Sequence, residues 1–142
     1  MQINELHRGR LIDHLHLVVA DLERSQRFYA AVVATLGIPL GGNGPGFFFV
    51  DELFVSNKES PAAAGALTGR VHLAFQAPTQ QAVTTFYEAG LAAGGTDNGA
   101  PGARPYHPGY FAAFLLDPDG NNVEAVFHGP SERSAPSVVV KF

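Results

Sequence analysis

The chain has 142 residues, of which 46% are hydrophobic and 15% charged, with a formal net charge of −4 and no cysteine. These values predict one globular domain with its own core, and they exclude a disordered chain, disulfide bonds and thiolate metal sites. The absence of any Lys/Arg cluster argues against nucleic-acid binding, and no apolar run approaches the ~20 residues that span a bilayer. The segment MQINELHRGR carries charges where a signal peptide needs an apolar stretch, so we expect a cytoplasmic protein.

The first predicted unit opens with a strand over residues 12–19. Its alternating pattern places His14 and His16 on the same face. An amphipathic helix follows, capped by Asp21 or Ser25. The remaining predicted elements of this unit are a Gly-rich turn at 41–46, strands at 47–50 and 53–56, and a tight turn at 51–52 between them.

A linker of small residues at 60–69 leads to the second predicted unit. Its elements are a strand at 70–76, a helix at 79–93, a long irregular loop at 94–109 and strands at 110–116 and 123–128. The DPDG sequence between the last two strands predicts a tight turn. In the tail, residues 138–142 predict an edge strand or a contact between subunits.

An internal repeat relates the two units. His14 and Phe28 recur as His72 and Phe86, both 58 positions further along the chain. Each unit is therefore predicted to have a βαβββ order, which makes the chain an α+β protein with two curved mixed sheets around a cup-shaped site. The inward face of this cup is expected to carry His14, His16, His72 and Glu124.

This pattern resembles the vicinal oxygen chelate superfamily, which includes glyoxalase I, fosfomycin-resistance enzymes, extradiol dioxygenases and bleomycin-resistance proteins. Three motifs carry the resemblance in order, namely DHLHLVVADLERSQRFY, RVHLAFQAP and LLDPDGNNVEAVFH. The resemblance covers roughly residues 11–129. It implies a single domain over residues 1–142, which consists of module one at about 11–59, the linker at 60–69, module two at about 70–129 and a tail at 130–142.

The resemblance also implies a metal site. His14, His72 and Glu124 stand at the three ligand positions of the superfamily. Two imidazoles and a carboxylate suit Fe, Mn, Ni, Co or Zn as a divalent ion, and the ligand set alone does not choose among them. Superfamily members complete the site by pairing modules within a chain or across a dimer. Because the first histidine comes from the opposite subunit in fosfomycin-resistance enzymes and glyoxalase I, the resemblance implies a homodimer in which His14 of one chain meets His72 and Glu124 of the other.

The sequence departs from two members of the superfamily. Glyoxalase I carries a fourth ligand at a position that falls on or near Phe54 here, and a phenyl ring cannot bind a metal. A shift of one or two residues in register would place Ser56 or Asn57 there instead. Fosfomycin-resistance enzymes carry a threonine where this chain has His16, and their serine-rich loop is replaced by APGARPYHPGY. Neither activity is therefore expected in its standard form.

Further residues are candidates for catalysis or substrate binding. Glu124, His16 and Tyr110 are predicted as acid–base groups, although His16 is equally compatible with a packed histidine bonded to a neighbouring carbonyl. The predicted substrate contacts are Arg104, Tyr106, His107 and Phe54. For Arg104, an ordinary position on a surface loop is the competing interpretation.

Two functions of different classes fit these residues. The first is a metal-dependent enzyme, of the lyase, isomerase or ring-cleaving dioxygenase type, that acts on a small oxygen-chelating or aromatic substrate. The second is a metal-free protein that binds a drug or another small molecule, as bleomycin-resistance proteins do. Retention of all three ligand residues favours the enzyme.

Overall fold

The computed structural model describes residues 5–63 and 65–142. Residues 1–4 of the predicted domain and residue 64 of the predicted linker lie outside the described residues. The strands are β1 (Glu5–Arg8), β2 (Leu15–Val19), β3 (Gly42–Gly44), β4 (Phe47–Val50), β5 (Leu53–Asn57), β6 (His72–Gln76), β7 (Thr96–Ala103), β8 (Phe111–Leu116), β9 (Asn122–Phe127) and β10 (Val138–Lys141). The helices are α1 (Leu22–Ala34) and α2 (Gln80–Ala92), and a short 3-10 helix spans Pro61–Ala63.

Two four-stranded mixed sheets repeat the same topology. The first has the strand order β2-β5-β4-β3, and the second has the order β6-β9-β8-β7. In each sheet the strand before the helix pairs in parallel with the last strand of the unit, and the other pairings are antiparallel. The predicted α+β fold with two βαβββ units is confirmed.

The helices begin where their sequences supply a cap. Asp21 accepts a hydrogen bond from the backbone N–H of Arg24 at 3.1 Å, and Thr79 accepts one from Ala82 at 3.0 Å. Of the two caps predicted for the first helix, Asp21 is therefore the one used. Ser25 lies buried within α1 instead.

Strand alternation separates a core face from an outer face in each sheet. Every second residue packs against the helices in one shared hydrophobic core, for example Leu17 and Val55 of the first sheet and Val123 and Leu115 of the second. The intervening residues point away from this core, and they include four candidate site residues, His16, Phe54, His72 and Glu124. The two helices also pack against each other, so the outer faces of both sheets lie outside the shared core.

Gly90 allows the second helix to pack closely against its neighbours. A Cβ atom added at Gly90 of α2 would lie 2.2 Å from Cδ1 of Leu115 and 3.1 Å from Cγ1 of Val32. Because these partners belong to β8 and α1, a side chain at this position would push the helix away from both its own sheet and the neighbouring helix.

The prediction of an irregular loop at 94–109 is wrong for half of these residues. Thr96–Ala103 forms β7, which pairs with β8 through two register shifts. Its glycines and proline lack the alternating apolar pattern of a strand, and the backbone pairing with β8 supplies the structure instead. Likewise, the predicted turn at 41–46 contains β3 and turns only at its end, where Gly46 has a φ of 83°.

The chain termini form a third, two-stranded sheet. Val138–Lys141 (β10) pairs antiparallel with Glu5–Arg8 (β1), which confirms the edge strand predicted in the tail. No pattern in residues 5–8 predicted β1. The first strand of module one is also shorter than predicted, because it begins at Leu15, so His14 lies immediately before it.

The linker closes one edge of the first sheet. Thr68 donates its backbone N–H to the carbonyl of Val18 at 2.9 Å and accepts the N–H of Val18 on its Oγ1 at 2.7 Å. Because β2 is an outer strand of its sheet, this pair of hydrogen bonds satisfies backbone groups that would otherwise face solvent.

Candidate active site

Two of the three predicted metal ligands meet on the outer face of the second sheet. His72 begins β6 and Glu124 lies on the adjacent strand β9, where it pairs with Ala74. His72 Nε2 lies 2.9 Å from Oε1 of Glu124. The carboxylate side chain is 3% exposed and the imidazole is 52% exposed, so the pair has a buried side and an open side.

Tyr110 fixes the second oxygen of the same carboxylate. It directly precedes β8, and its hydroxyl donates a short hydrogen bond to Oε2 of Glu124. Burial and this hydrogen bond raise the pKa of Tyr110 to about 12. The phenol therefore keeps its proton at neutral pH and acts as a donor to Glu124, and it is unsuited to be a base there.

The chemistry of His72 and Glu124 fits two ligands of one metal ion. The 2.9 Å between Nε2 and Oε1 is the length of an ordinary hydrogen bond, which holds the two groups side by side. A nitrogen and a carboxylate oxygen are also donors that first-row transition metals accept. These two residues would therefore hold such an ion once a third ligand is supplied.

The third predicted ligand lies elsewhere in the chain. His14 contacts Asp13, with 2.7 Å between Nδ1 and Oδ1, and lines a cavity of about 380 Å³ beside the first sheet. Across residues 5–63 and 65–142, no three His, Asp or Glu side chains lie close enough together to hold a metal ion. A single chain thus brings His72 and Glu124 together and leaves His14 apart from them.

His16 shares the cavity of His14. Its Nε2 lies 2.6 Å from Oγ of Ser56, and its ring packs edge-on against Phe54 at 4.9 Å. Burial, with a smaller contribution from nearby His14, lowers the pKa of His16 below the usual 6.5. The partner of His16 is a hydroxyl, and the carbonyl expected for a packed histidine is absent among the hydrogen bonds described for its ring.

The strand register identifies the counterpart of Glu124 in the first sheet. His16 pairs with Phe54 as Ala74 pairs with Glu124. Phe54 therefore occupies the position predicted for a fourth ligand. Its ring lies nearly parallel to the rings of Phe47 and Phe49, at centroid distances of 5.4 and 6.4 Å, so an apolar aromatic surface replaces a carboxylate.

The predicted substrate contacts divide between two cavities. Phe54 lines the cavity of His14 and His16, whereas Arg104 and His107 line a second one of about 390 Å³ together with Tyr110. Tyr106 is exposed and packs edge-on against the Tyr110 ring. The Arg104 guanidinium donates to the carbonyl of Ala100 at 2.7 Å.

Four contacts at the site were not predicted from the sequence. Arg104 lies 5.3 Å above the ring of Phe114, which also faces His72 at 6.0 Å. His107 Nε2 lies 2.8 Å from Nδ1 of His128. The even spacing of His128 from Glu124 placed both on one face, but nothing in the sequence indicated its pairing with His107. The contact of Asp13 with His14 was likewise not predicted.

The comparisons with known proteins assign the fold to a family. Residues 11–125 match the sequence model of a family described as "Glyoxalase/Bleomycin resistance protein/Dioxygenase superfamily". The chain belongs to this superfamily. Its members are often metal-dependent, commonly form dimers and bind small molecules. No curated protein matches the chain significantly.

Several solved structures resemble this chain. A glyoxalase/bleomycin resistance protein from Albidiferax ferrireducens T118 is 32% identical, with a TM-score of 0.67, and the match covers 82% of this chain and 97% of that one. A glyoxalase-related enzyme from Fulvimarina pelagi is 22% identical, with a TM-score of 0.70 and coverage of 92% and 97%. A lactoylglutathione lyase from Agrobacterium tumefaciens is 20% identical, with a TM-score of 0.61 and coverage of 83% and 93%. The last two likenesses show the fold alone.

One further finding concerns the helices. Neither α1 nor α2, the two helices of the described residues, is long and apolar enough to cross a membrane.

Proposed function

We propose that this protein is a divalent-metal-dependent enzyme whose site is completed by a second copy of the chain. His72 and Glu124 of one copy would hold the ion together with His14 of the other. The observation that carries the proposal is the 2.9 Å contact between His72 and Glu124 on the outer face of the second sheet, where the imidazole remains open to a further ligand.

The bound ion would act as a Lewis acid toward a substrate with two neighbouring oxygens. The residues of the chain have separate tasks. Tyr110 holds the Glu124 carboxylate through a hydrogen bond to Oε2. His16 has a lowered pKa and is therefore uncharged at neutral pH, so it can accept a proton from the substrate.

The surroundings of the site favour a small substrate with an aromatic or apolar body. The stacked rings of Phe47, Phe54 and Phe49 offer a flat apolar surface beside His16. Arg104, on the other sheet, supplies a positive charge near Tyr110 and Phe114. The reaction would be of the lyase, isomerase or ring-cleaving dioxygenase type.

Metal analysis tests the proposal directly. Protein purified without chelator is expected to hold about one divalent ion per chain, and His72→Ala, Glu124→Ala and His14→Ala are each expected to lose it. His128→Ala is the matched control, because it removes an imidazole that directly follows β9 and packs on the ring of Tyr110. Among the described hydrogen bonds, its ring bonds His107 and not Glu124. Wild-type protein that stays metal-free after reconstitution with each candidate ion would overturn the proposal.

A mixed dimer tests whether the site is shared. Co-expression of His14→Ala with Glu124→Ala, followed by purification of the heterodimer on two different tags, leaves one site with all three ligands and one site with a single ligand. The heterodimer is expected to bind about one ion per dimer, although each variant alone binds none. If the heterodimer also binds none, the ligands do not come from two chains.

Substrate assays separate the reaction types. Oxygen uptake with catechols indicates a dioxygenase, and turnover of the methylglyoxal–glutathione adduct indicates a lyase. The second candidate function, a metal-free binding protein, is favoured by Phe54 and its stacked neighbours at the position equivalent to Glu124. It is supported if the protein binds aromatic ligands, as measured by calorimetry, with equal affinity with and without added metal.

A further inference from the structure

The ring of His14, the third predicted metal ligand, is held by a hydrogen bond to a neighbouring residue. His14 Nδ1 lies 2.7 Å from Oδ1 of its neighbour Asp13. We propose that Asp13 is a positioning residue, which holds the His14 ring in the tautomer and orientation that expose Nε2 as a metal ligand. This inference rests on the proposed function, because it concerns how this chain presents its third ligand.

The chemistry of the contact fixes the position of the proton on the ring. An ionised carboxylate only accepts hydrogen bonds, so Nδ1 of His14 must carry the hydrogen when the imidazole is neutral. Nε2 then keeps its lone pair. A hydrogen bond from the other ring nitrogen to a carboxylate is a common arrangement around metal-binding histidines, where it fixes the tautomer and raises the basicity of the ligand.

His14 differs in this respect from other histidines near the site. Nε2 of His16 is engaged by the hydroxyl of Ser56, and Nε2 of His107 is engaged by His128. Within the described residues, the hydrogen bond of the His14 ring is made through Nδ1, and the side chain is 57% exposed. Its Nε2 is therefore available to a ligand that approaches from outside the chain.

Arg8 holds the carboxylate in place. Its Nε donates to Oδ1 of Asp13 at 3.2 Å, and its Nη1 donates to the backbone carbonyls of His7 and Asp51, both at 3.0 Å. The Arg8 side chain is only 13% exposed, so these bonds fix it against the protein. Arg8 belongs to β1, which pairs with β10. Both strands lie outside residues 11–125, the part that matches the superfamily.

The terminal sheet thus has a role in the proposed site. It anchors Arg8, Arg8 anchors Asp13, and Asp13 orients His14. These contacts join a partly buried cation to a carboxylate that is itself 73% exposed. The exposed pair of Asp13 and His14 thereby gains an orientation that a surface pair alone would lack.

The test uses NMR on the metal-free protein, so that its readout does not depend on bound metal. Long-range ¹H–¹⁵N spectra at about pH 8, above the usual histidine pKa of about 6.5, report which ring nitrogen carries the proton. The His14 signals are assigned by their loss in His14→Gln. Wild-type protein is expected to show the Nδ1–H tautomer, and Asp13→Ala is expected to shift His14 toward the Nε2–H form that free histidine prefers in water.

Titration with Co²⁺ supplies the second readout. Asp13→Ala is expected to weaken Co²⁺ binding about 10- to 100-fold, the usual effect of removing such a partner. Asp13→Asn keeps an oxygen acceptor without the charge, so it should retain the Nδ1–H tautomer and show a smaller loss. Asp97→Asn is the matched control, because it alters an exposed aspartate that bonds Tyr87 in the other module, and neither readout should change.

The outcomes separate this proposal from the proposed function. If folded Asp13→Ala keeps the Nδ1–H tautomer, or if it binds Co²⁺ as tightly as wild-type protein, the positioning role is overturned. If the tautomer shifts as expected but wild-type protein binds no divalent ion, the proposed metal site fails while the orientation of His14 by Asp13 stands.

Discussion

Tyr29 of α1 donates a 2.5 Å hydrogen bond to Oδ2 of Asp117, in the turn that joins β8 to β9. Both groups are buried, and the bond joins the helix of the first module to the hairpin that carries Glu124. Asp117 also accepts two hydrogen bonds from Asn121, one from its backbone N–H at 2.8 Å and one from its side chain at 2.9 Å. The two modules are therefore tied by a polar contact as well as by their shared core.

Tyr29→Phe is expected to lower the free energy of unfolding by about 2 kcal/mol, the usual net value for a buried hydrogen bond to a charged group. Guanidinium unfolding curves measure the change. Tyr87→Phe is the matched control, because it removes a tyrosine–aspartate bond of 2.7 Å at the surface, where solvent replaces it. Equal losses for the two variants would mean that the buried bond to Asp117 stabilises the protein no more than the surface bond of Tyr87 does.

Gly90→Ala is expected to destabilise the protein by about 1–3 kcal/mol. The added methyl group would lie 2.2 Å from Leu115, which is fully buried and cannot move without disturbing the core. This overpacking outweighs the gain of about 1 kcal/mol in helix propensity. At Gly69 an added Cβ atom meets nothing within 4 Å, so thermal unfolding of Gly69→Ala should be nearly unchanged. A more stable Gly90→Ala would contradict the packing described here.

Glu52→Gln is expected to stabilise the protein at neutral pH and to have less effect near pH 4. Burial, and then the neighbouring Asp51 charge, raise the pKa of Glu52 above 4.5. The folded state therefore binds the proton more tightly than the unfolded state, so stability falls as pH rises through the range just above the unfolded pKa. Glutamine removes this cost. Melting temperatures measured across that pH range test this expectation. Glu88→Gln serves as the control, because Glu88 is exposed. A change in melting temperature for Glu52→Gln that does not depend on pH would contradict the interpretation.

Tyr110→Phe is expected to weaken Co²⁺ binding about 10- to 100-fold, because Glu124 loses the donor that orients its Oε2. Calorimetric titration of the metal-free protein measures the affinity. Tyr106→Phe serves as the control, since Tyr106 contacts only the ring of Tyr110 among the described interactions of its side chain. An unchanged affinity in Tyr110→Phe would assign the hydroxyl a role outside the metal site.

Most of the fold follows from local patterns in the sequence. The repeat of His14 as His72 and the alternation along the strands predicted both βαβββ units and the faces that carry the site residues. The register of β2 with β5 also places Phe54 at the position predicted from the sequence. These features depend on short-range periodicity, which a single sequence records directly.

Other features depend on contacts between distant segments. β1 forms through backbone pairing with β10, whose paired residues lie 130 to 136 positions further along the chain, and β7 forms against β8 without a strand-like pattern of its own. The His107–His128 and Arg8–Asp13 contacts likewise need the folded chain to bring their partners together. The separation of His14 from Glu124 depends on how the two modules pack, and no spacing along the chain encodes that arrangement.

The two hydrogen bonds between Thr68 and Val18 also bear on colloidal behaviour. An open strand edge is a template to which another polypeptide can add a strand by backbone pairing. Many proteins cover such edges and thereby prevent aggregation. Here the connecting segment shields β2 without becoming a full strand. Replacing that segment by a flexible spacer would bare the edge while leaving the core intact, so self-association, and not unfolding, is the failure to expect first.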